Sequence, residues 1–178
     1  MKKAVFYISV MLFSTVMIVP AEALALDQDD CTRDGPRSTP SGEFTVLDDS
    51  SIVRHERTGL EWQRCSIGQT WDPWAVRCEG RGTWLRWDEA MEKAEAIEGW
   101  RLPTLDELRS IVERCRTRPA INRAVFPNTR AAGMGSFDYF WTSTRDSNQA
   151  KGIGFSDGRV ISNARANQFG VRLVREGQ

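Results

Sequence analysis

The chain has 178 residues, and its 24 lysines and arginines balance its 24 aspartates and glutamates. The net charge is therefore zero, whereas nucleic-acid-binding domains are typically strongly basic, and no nucleic-acid partner is predicted. Residues 26–178 have the length of one domain, which is enough to build a hydrophobic core.

The N-terminus has the pattern of an export signal. Lys2 and Lys3 precede an apolar run of sixteen residues, Ala4–Val19. Ala23-Leu24-Ala25 then places small residues at the two positions that a signal peptidase recognises, which predicts a signal peptide over residues 1–25. The run is short for an uncleaved anchor, which needs about 20 apolar residues. We therefore expect a periplasmic, secreted or cell-surface protein with no membrane span after signal removal.

The mature chain is predicted to begin with an extended arm over residues 26–43, which is rich in Asp, Ser, Pro and Gly. A domain over residues 44–178 follows. Apolar and polar residues alternate from Phe44 onward, with turn signals at Asp48-Asp49-Ser50 and Thr58-Gly59. This alternation predicts two or three short antiparallel strands.

All four cysteines lie in the exported part, where an even number predicts two disulfides: Cys31, Cys65, Cys78 and Cys115. Three pairings are possible. The segment between Cys65 and Cys78 has the composition of a compact loop, which favours that bridge and leaves Cys31 with Cys115 by elimination. A zinc site is the alternative, but no CxxC pair occurs and the chain has one histidine.

Two helices are predicted in the middle of the chain. The first has apolar residues at helical spacing before a stop at Gly99: Trp87, Ala90, Met91, Ala94 and Ile97. The second starts at Thr104, which forms a capping box with Glu107, and Pro119 marks its end. Its buried stripe is predicted to comprise Leu105, Leu108, Ile111 and Val112.

Strand character returns in the last third of the chain, in the segments FDYFWTST, KGIGFSDGRVIS and FGVRLVRE. Asp157-Gly158 is a hairpin-turn signal inside the second segment. The element order is therefore strands, two helices and strands again.

Several motifs in this order resemble a known family. GWRLPTLDELRSIVE, followed by PAIN, FPNT, YFWTST, the GFSDG hairpin and the terminal VRLVR, is similar to the Lcl C-terminal domain family, named for the last domain of a bacterial collagen-like adhesin. The resemblance runs from about Thr58 to Arg175 and supports the Cys65–Cys78 bridge. The capped RLPT helix also resembles the C-type-lectin-like and formylglycine-generating group, which implies an α+β, C-type-lectin-like fold with a twisted antiparallel sheet and two helices. The oxidase activity of that group is not implied, because no cysteine follows Cys115.

No catalytic residue is predicted. Gly154-Phe155-Ser156-Asp157-Gly158 matches the G-x-S-x-G motif, but that elbow joins a strand to a helix and needs a later histidine. The one histidine, His55, lies upstream of Ser156. No enzyme activity, cofactor or metal is expected, and only a structural calcium site built from residues distant in sequence is left open.

Charge is distributed unevenly along the mature chain. Residues 26–113 carry 11 basic and 19 acidic residues, whereas residues 114–178 carry 11 basic and 4 acidic residues. The two halves either neutralise each other in the folded domain or leave a basic surface, where arginine forks bind sulfate, phosphate or carboxylate. We predict a non-catalytic adhesion module that recognises a sulfated or acidic glycan or another polyanion, through Arg145, Lys151, Arg159, Asn163, Arg165, Asn167 and Arg172.

Seven tryptophans are present, and most are expected in the core. Trp71 and Trp74, in the presumed disulfide loop, are predicted to be exposed and are added to the candidate ligand-binding residues. The lack of a catalytic set and the exposed tryptophan loop also favour an alternative function. The protein would then be a protein-interaction subunit of an envelope or pilus assembly, or an inhibitor of a secreted enzyme.

Overall fold

The computed structural model describes residues 37–47, 49–130 and 138–178. The predicted signal peptide, residues 26–36 of the predicted arm, Cys31 and Asp48 lie outside these residues. The described part is α+β, as predicted, and its elements are β1 (Phe44–Val46), β2 (Ile52–His55), β3 (Leu60–Gln63), β4 (Thr70–Asp72), β5 (Arg77–Glu79), α1 (Trp87–Glu95), α2 (Leu105–Ser110), β6 (Tyr139–Asp146), β7 (Gln149–Gly154), β8 (Val160–Ala164) and β9 (Val174–Glu176). Among these residues, neither helix has the length and apolar content to cross a membrane.

The strands form three antiparallel sheets in the described part of the chain. They have the orders β1-β2-β3-β9, β4-β5 and β6-β7-β8. The resemblance implied a twisted antiparallel sheet beside two helices. The strands instead form three sheets, and β9 joins the first of them rather than the β6–β8 sheet. It returns to the first sheet, where Val174 pairs with Trp62 and Glu176 with Leu60.

The second helix starts as predicted and ends earlier. Thr104 Oγ1 accepts a hydrogen bond from Glu107 N at 3.3 Å, and the Glu107 carboxylate accepts one from Thr104 N at 2.7 Å. The prediction that Pro119 marks the helix end was wrong, because α2 stops at Ser110. Backbone pairing with residues 120 and 121 then replaces helical bonds, since Glu113 N donates to Ala120 O at 3.0 Å.

The β6–β8 sheet lies between two hydrophobic clusters. Phe140 pairs with Ile153 and packs in the first cluster, with Leu108 of α2. Trp141 pairs with Gly152 and packs in the second cluster, with Phe169. Successive strand residues point to opposite faces, so both faces of this sheet are covered by core. A larger residue at position 152 would crowd this packing, because a Cβ there would lie 3.0 Å from Phe140 O and 3.4 Å from the Phe169 ring.

Candidate functional site

Arg172 lies in the interior, so its prediction as a surface ligand-binding residue was wrong. Its side chain is fully buried, and Nη1 donates to Gln63 O at 2.8 Å and to Arg64 O at 2.5 Å. Nη2 donates to Thr129 Oγ1 at 2.7 Å, and the guanidinium lies 4.8 Å from the Phe126 ring centroid. Burial lowers the pKa of Arg172 to about 9, so the group stays charged at neutral pH. The prediction failed because residues 171–174 are buried on both sides of the backbone.

Arg165 is half-buried and is held against the first helix. Its guanidinium lies 4.6 Å from the Trp87 ring centroid and forms an ion pair with Asp88. This arginine therefore already has an aromatic partner and a carboxylate partner within the fold.

The remaining predicted residues are exposed or half-buried, but they do not converge on one surface. Arg145 and Asn163 both pair with Ala150, so their side chains leave the same face of the sheet. Lys151, the next residue after Ala150, points to the other face. Arg159 is exposed in the turn between β7 and β8, 3.7 Å from the Asp157 carboxylate.

Asn163 and Asn167 are close to each other, but the prediction that both lie in the loop before the last strand was wrong for Asn163, which is part of β8. The Asn167 side-chain amide donates to Asn163 Oδ1 at 2.5 Å. The structure thus joins these two amides but separates them from Lys151, which leaves the opposite face of the sheet.

Arginine stacking on aromatic rings recurs across the described part and was missed by sequence reasoning. The pairs include Arg64 over Trp71, Arg130 over Trp84, Arg165 over Trp87 and Arg175 over Trp100, at 4.1 to 5.2 Å from the ring centroids. A planar guanidinium stacks on an indole in a way that a lysine ammonium does not. The excess of arginine over lysine therefore serves the fold in part, which composition could not distinguish from ligand binding.

The predicted Cys65–Cys78 disulfide is confirmed, and the loop that it closes is a β-hairpin. Cys65 and Cys78 are bridged, and Cys78 pairs with Trp71 across the β4–β5 ladder. Cys115 is disulfide-bonded as well, and its predicted partner Cys31 lies outside the described residues. Trp74 is 95% exposed at the turn of this hairpin, as expected. The prediction that Trp71 is exposed was wrong, because this side chain is half-buried under the Arg64 guanidinium and its Nε1 donates to Ser50 Oγ at 2.9 Å.

A second feature is a groove of about 230 Å³ that no sequence motif indicated. We call it the arginine groove, and its lining is Ser38, Arg57, Asp106, Arg109, Ser110, Val112 and Arg114. The side chains of Arg57 and Arg109 are 50% and 53% exposed. Arg57 Nη2 lies 3.3 Å from a Glu43 carboxylate oxygen, and Arg109 Nη1 lies 3.4 Å from Asp106.

Glu113 builds one wall of the arginine groove by holding the end of the arm. Its buried carboxylate accepts hydrogen bonds from the backbone N and hydroxyl of Ser38, at 2.7 and 3.0 Å. It also accepts bonds from the hydroxyl and backbone N of Thr39, at 3.2 and 3.3 Å. Residues 38 and 39 of the predicted arm are therefore docked against the domain, and Ser41–Glu43 form a 3-10 turn.

Other predicted features can be placed. Asp157-Gly158 lies in the hairpin between β7 and β8, as predicted, so Ser156 sits between two strands rather than between a strand and a helix. In the ranges that the structure describes, no group of three or more His, Cys, Asp or Glu side chains is placed to hold a metal ion.

Comparison with protein families shows which family the chain matches. The family model of the Lcl C-terminal domain covers residues 51–175 of the chain, from just before β2 to within β9. A search of curated proteins found no match. The matched range contains the disulfide hairpin, both helices and all but the Ser38 wall of the arginine groove.

Proposed function

Because the chain belongs to the Lcl C-terminal domain family, we propose that it is an exported, non-catalytic binding module that recognises a sulfated or acidic glycan at the cell envelope or outside the cell. The C-type-lectin-like shape and the signal peptide are parts of this proposal. The observation that carries it is the convergence of Arg57, Arg109 and Arg114 on one groove, beside the hydroxyls of Ser38 and Ser110.

Arg57 and Arg109 have spare binding capacity. A guanidinium has five N–H donors, and one nitrogen of Arg57, Nη2, contacts both Glu43 and the Ser38 carbonyl, while one nitrogen of Arg109, Nη1, contacts Asp106. Those contacts are long and solvent-exposed, and exposed ion pairs of this kind contribute about 0–1 kcal/mol. A sulfate or carboxylate on a sugar therefore competes with Glu43 and Asp106 at little cost, and it gains bidentate bonds.

The cations predicted from the sequence take a secondary part in this proposal. Arg145, Lys151 and Arg159 do not converge, so we assign them to long-range attraction of a polyanion rather than to fixing one group. Arg172 has no part, because it is buried.

The test compares two variants that lose the same charge. Arg57→Gln/Arg109→Gln removes two arginines of the groove, and Arg145→Gln/Arg159→Gln removes two exposed arginines outside it. The mature protein and both variants are eluted from immobilised heparin with a salt gradient, after thermal unfolding confirms that each is folded. The groove variant is expected to elute clearly earlier than the wild type, and the control variant only slightly earlier.

Two results would contradict the proposal. One is elution of the wild type together with a protein of neutral charge, which would mean that no polyanion is bound. The other is an equal or larger shift for Arg145→Gln/Arg159→Gln, which would move the binding surface to the β6–β8 sheet.

A further inference from the structure

The turn of the β4–β5 hairpin exposes apolar side chains to an unusual degree. Trp74 is 95% exposed and Val76 is 56% exposed, and the next such side chain in the described part is Val46 at 53%. The other tryptophans are buried or half-buried. An indole in full contact with water forgoes a large favourable transfer free energy, so its position needs a physical reason.

The base of the hairpin is fixed to the rest of the domain. The Cys65–Cys78 disulfide links β5 to the end of β3, and Cys78 N donates to Asn128 Oδ1 at 3.2 Å. Trp71 is held by Ser50 and covered by the Arg64 guanidinium at 4.1 Å. The exposed tip therefore stands on a rigid support.

The turn itself is also ordered. Asp72 Oδ1 accepts hydrogen bonds from Trp74 N at 2.9 Å and from Ala75 N at 3.0 Å. Val76 has a φ of +50°, in the left-handed region that β-branched residues rarely adopt. Glycine or asparagine is the residue that this position favours for stability. The backbone strain at Val76 and the exposure of both apolar side chains each lower the stability of the fold. Unfavourable features of this kind are typical of functional surfaces.

We propose that Trp74 and Val76 form an anchor that inserts into an apolar pocket on a partner protein. A preorganised aromatic side chain loses little conformational entropy on binding, and tryptophan is enriched among residues that dominate interface energies. The flanking side chains Asp72, Arg77 and Glu79 carry a net charge of −1, and Arg77 lies opposite Asp72 in the ladder and bonds to Glu79 at 2.7 Å. An apolar tip with a weakly acidic rim fits an apolar pocket whose edge is neutral or basic.

Two other classes of ligand fit this tip less well. A sugar ring stacks on an indole, but the aliphatic side chain of Val76 has no group that bonds to sugar hydroxyls. An anionic membrane surface attracts basic clusters, whereas the hairpin strands carry Asp72 and Glu79 beside Arg77. An apolar protein pocket uses both exposed side chains.

This anchor is separate from the arginine groove. Trp71 contacts Ser50 before β2, and Arg57 follows β2, whose four residues span about 13 Å. The two surfaces therefore lie at opposite ends of that strand, and each can be altered while the other is left intact. The anchor does not depend on the proposed glycan binding.

Photo-crosslinking in cells that produce the full chain tests the anchor. p-Benzoylphenylalanine is placed at the exposed position 75, which keeps both Trp74 and Val76, or at the exposed position 145 as the matched control. We expect one discrete protein adduct from position 75 and not from position 145, suppressed by excess wild-type mature protein but not by its Trp74→Ala form. Adduct formation should be unchanged when Arg57→Gln/Arg109→Gln is added. No adduct, an adduct with lipid or sugar, or equal suppression by Trp74→Ala would overturn the proposal.

Affinity measurements with the crosslinked protein, once purified, test the contribution of each side chain. Trp74→Ala should weaken binding by about 30-fold or more, as for a residue that dominates an interface. Val76→Asn should raise the thermal midpoint, because it relieves the backbone strain, and yet weaken binding. Lys93→Ala, at an exposed position of α1, is the control and should leave the affinity unchanged. Unchanged affinity of Trp74→Ala, while its thermal midpoint equals that of the wild type, would refute the anchor.

Discussion

Arg172 and Trp74 reverse the usual positions of their residue types. The arginine is fully buried and bonds to two backbone carbonyls, whereas the tryptophan is 95% exposed at a hairpin turn. A buried charge is stable only with its hydrogen bonds made, and an exposed indole contributes little to folding. Burial and hydrogen bonding, rather than residue type, therefore distinguish the side chains that stabilise this domain from those that are available for binding.

The largest expected effect is at Arg172. Arg172→Met fills most of the volume but leaves the carbonyls of Gln63 and Arg64 and the hydroxyl of Thr129 without their donor. We expect the free energy of unfolding to fall by about 3 kcal/mol or more, measured by urea denaturation. Arg145→Met, at an exposed position, is the control and should change it by less than about 0.5 kcal/mol. Equal effects at the two positions would contradict the structural role of Arg172.

The second effect concerns the support of Trp74. The Cys65–Cys78 bridge has a sequence separation of 13, and a loop of that size contributes about 3 kcal/mol in the chain-entropy account. Cys65→Ser/Cys78→Ser should therefore lower the free energy of unfolding by about that amount. Hydrogen exchange of the Trp74 and Ala75 amides, which bond to Asp72, should also become faster. Unaltered exchange there would show that the bridge does not fix the tip.

A smaller effect on the free energy of unfolding is expected from pH, because a buried histidine binds a proton less readily in the folded protein than in the unfolded chain. His55 is fully buried and stacks on Phe44 with ring centroids 4.7 Å apart. Burial lowers the pKa of His55 below its ordinary value of 6.5, with a further contribution from the charge of Arg57, although Glu43 opposes the shift. The unfolded chain therefore takes up a proton more readily than the folded one. The free energy of unfolding should be constant above about pH 6.5 and decrease below it.

The control for this pH effect is His55→Phe, which keeps an aromatic ring beside Phe44. In urea denaturation between pH 7.5 and 5.5, the variant should be less stable overall, because Thr58 loses its contact with Nδ1 at 3.0 Å. Its stability should change less with pH than that of the wild type. A parallel decline in both proteins would assign the effect to another group.

The smallest effect on stability is expected at Trp74. Its side chain makes few contacts in the fold, so Trp74→Ala should change the free energy of unfolding by less than about 0.5 kcal/mol. Urea denaturation of this variant and of Arg172→Met then compares the smallest and the largest expected change in the free energy of unfolding. A loss of more than 1.5 kcal/mol at Trp74, about three times the expected limit, would mean that the indole packs within the fold.

Local features of the structure could be predicted from the sequence. The capping box of Thr104 and Glu107 involves residues three apart, and the Asp157-Gly158 turn joins strands that are neighbours in the chain. The bridge between Cys65 and Cys78 closes a short loop. In each of these cases the residues that determine the geometry are at most 13 positions apart in the chain, so the local sequence pattern indicates the contact.

The candidate sites depended on contacts between distant segments. The arginine groove exists because Glu113 bonds to Ser38, 75 positions earlier in the chain. Arg172 is buried because Arg64 and Thr129, 108 and 43 positions away, surround it. The sequence prediction placed Arg172 on the surface because residues 114–178 are rich in basic side chains, and a count of charges does not reveal which of them other segments cover. Only the fold distinguishes a groove arginine from a structural one.

The most direct measurement of this division is chemical modification of arginine in the native protein. Phenylglyoxal is added under native conditions, and the rate of modification at each arginine is followed by peptide mass spectrometry. We predict that Arg57, Arg109, Arg145 and Arg159 react readily and that Arg172 is protected until the protein unfolds. Modification of Arg172 at the rate of Arg145 in the folded protein would contradict the account.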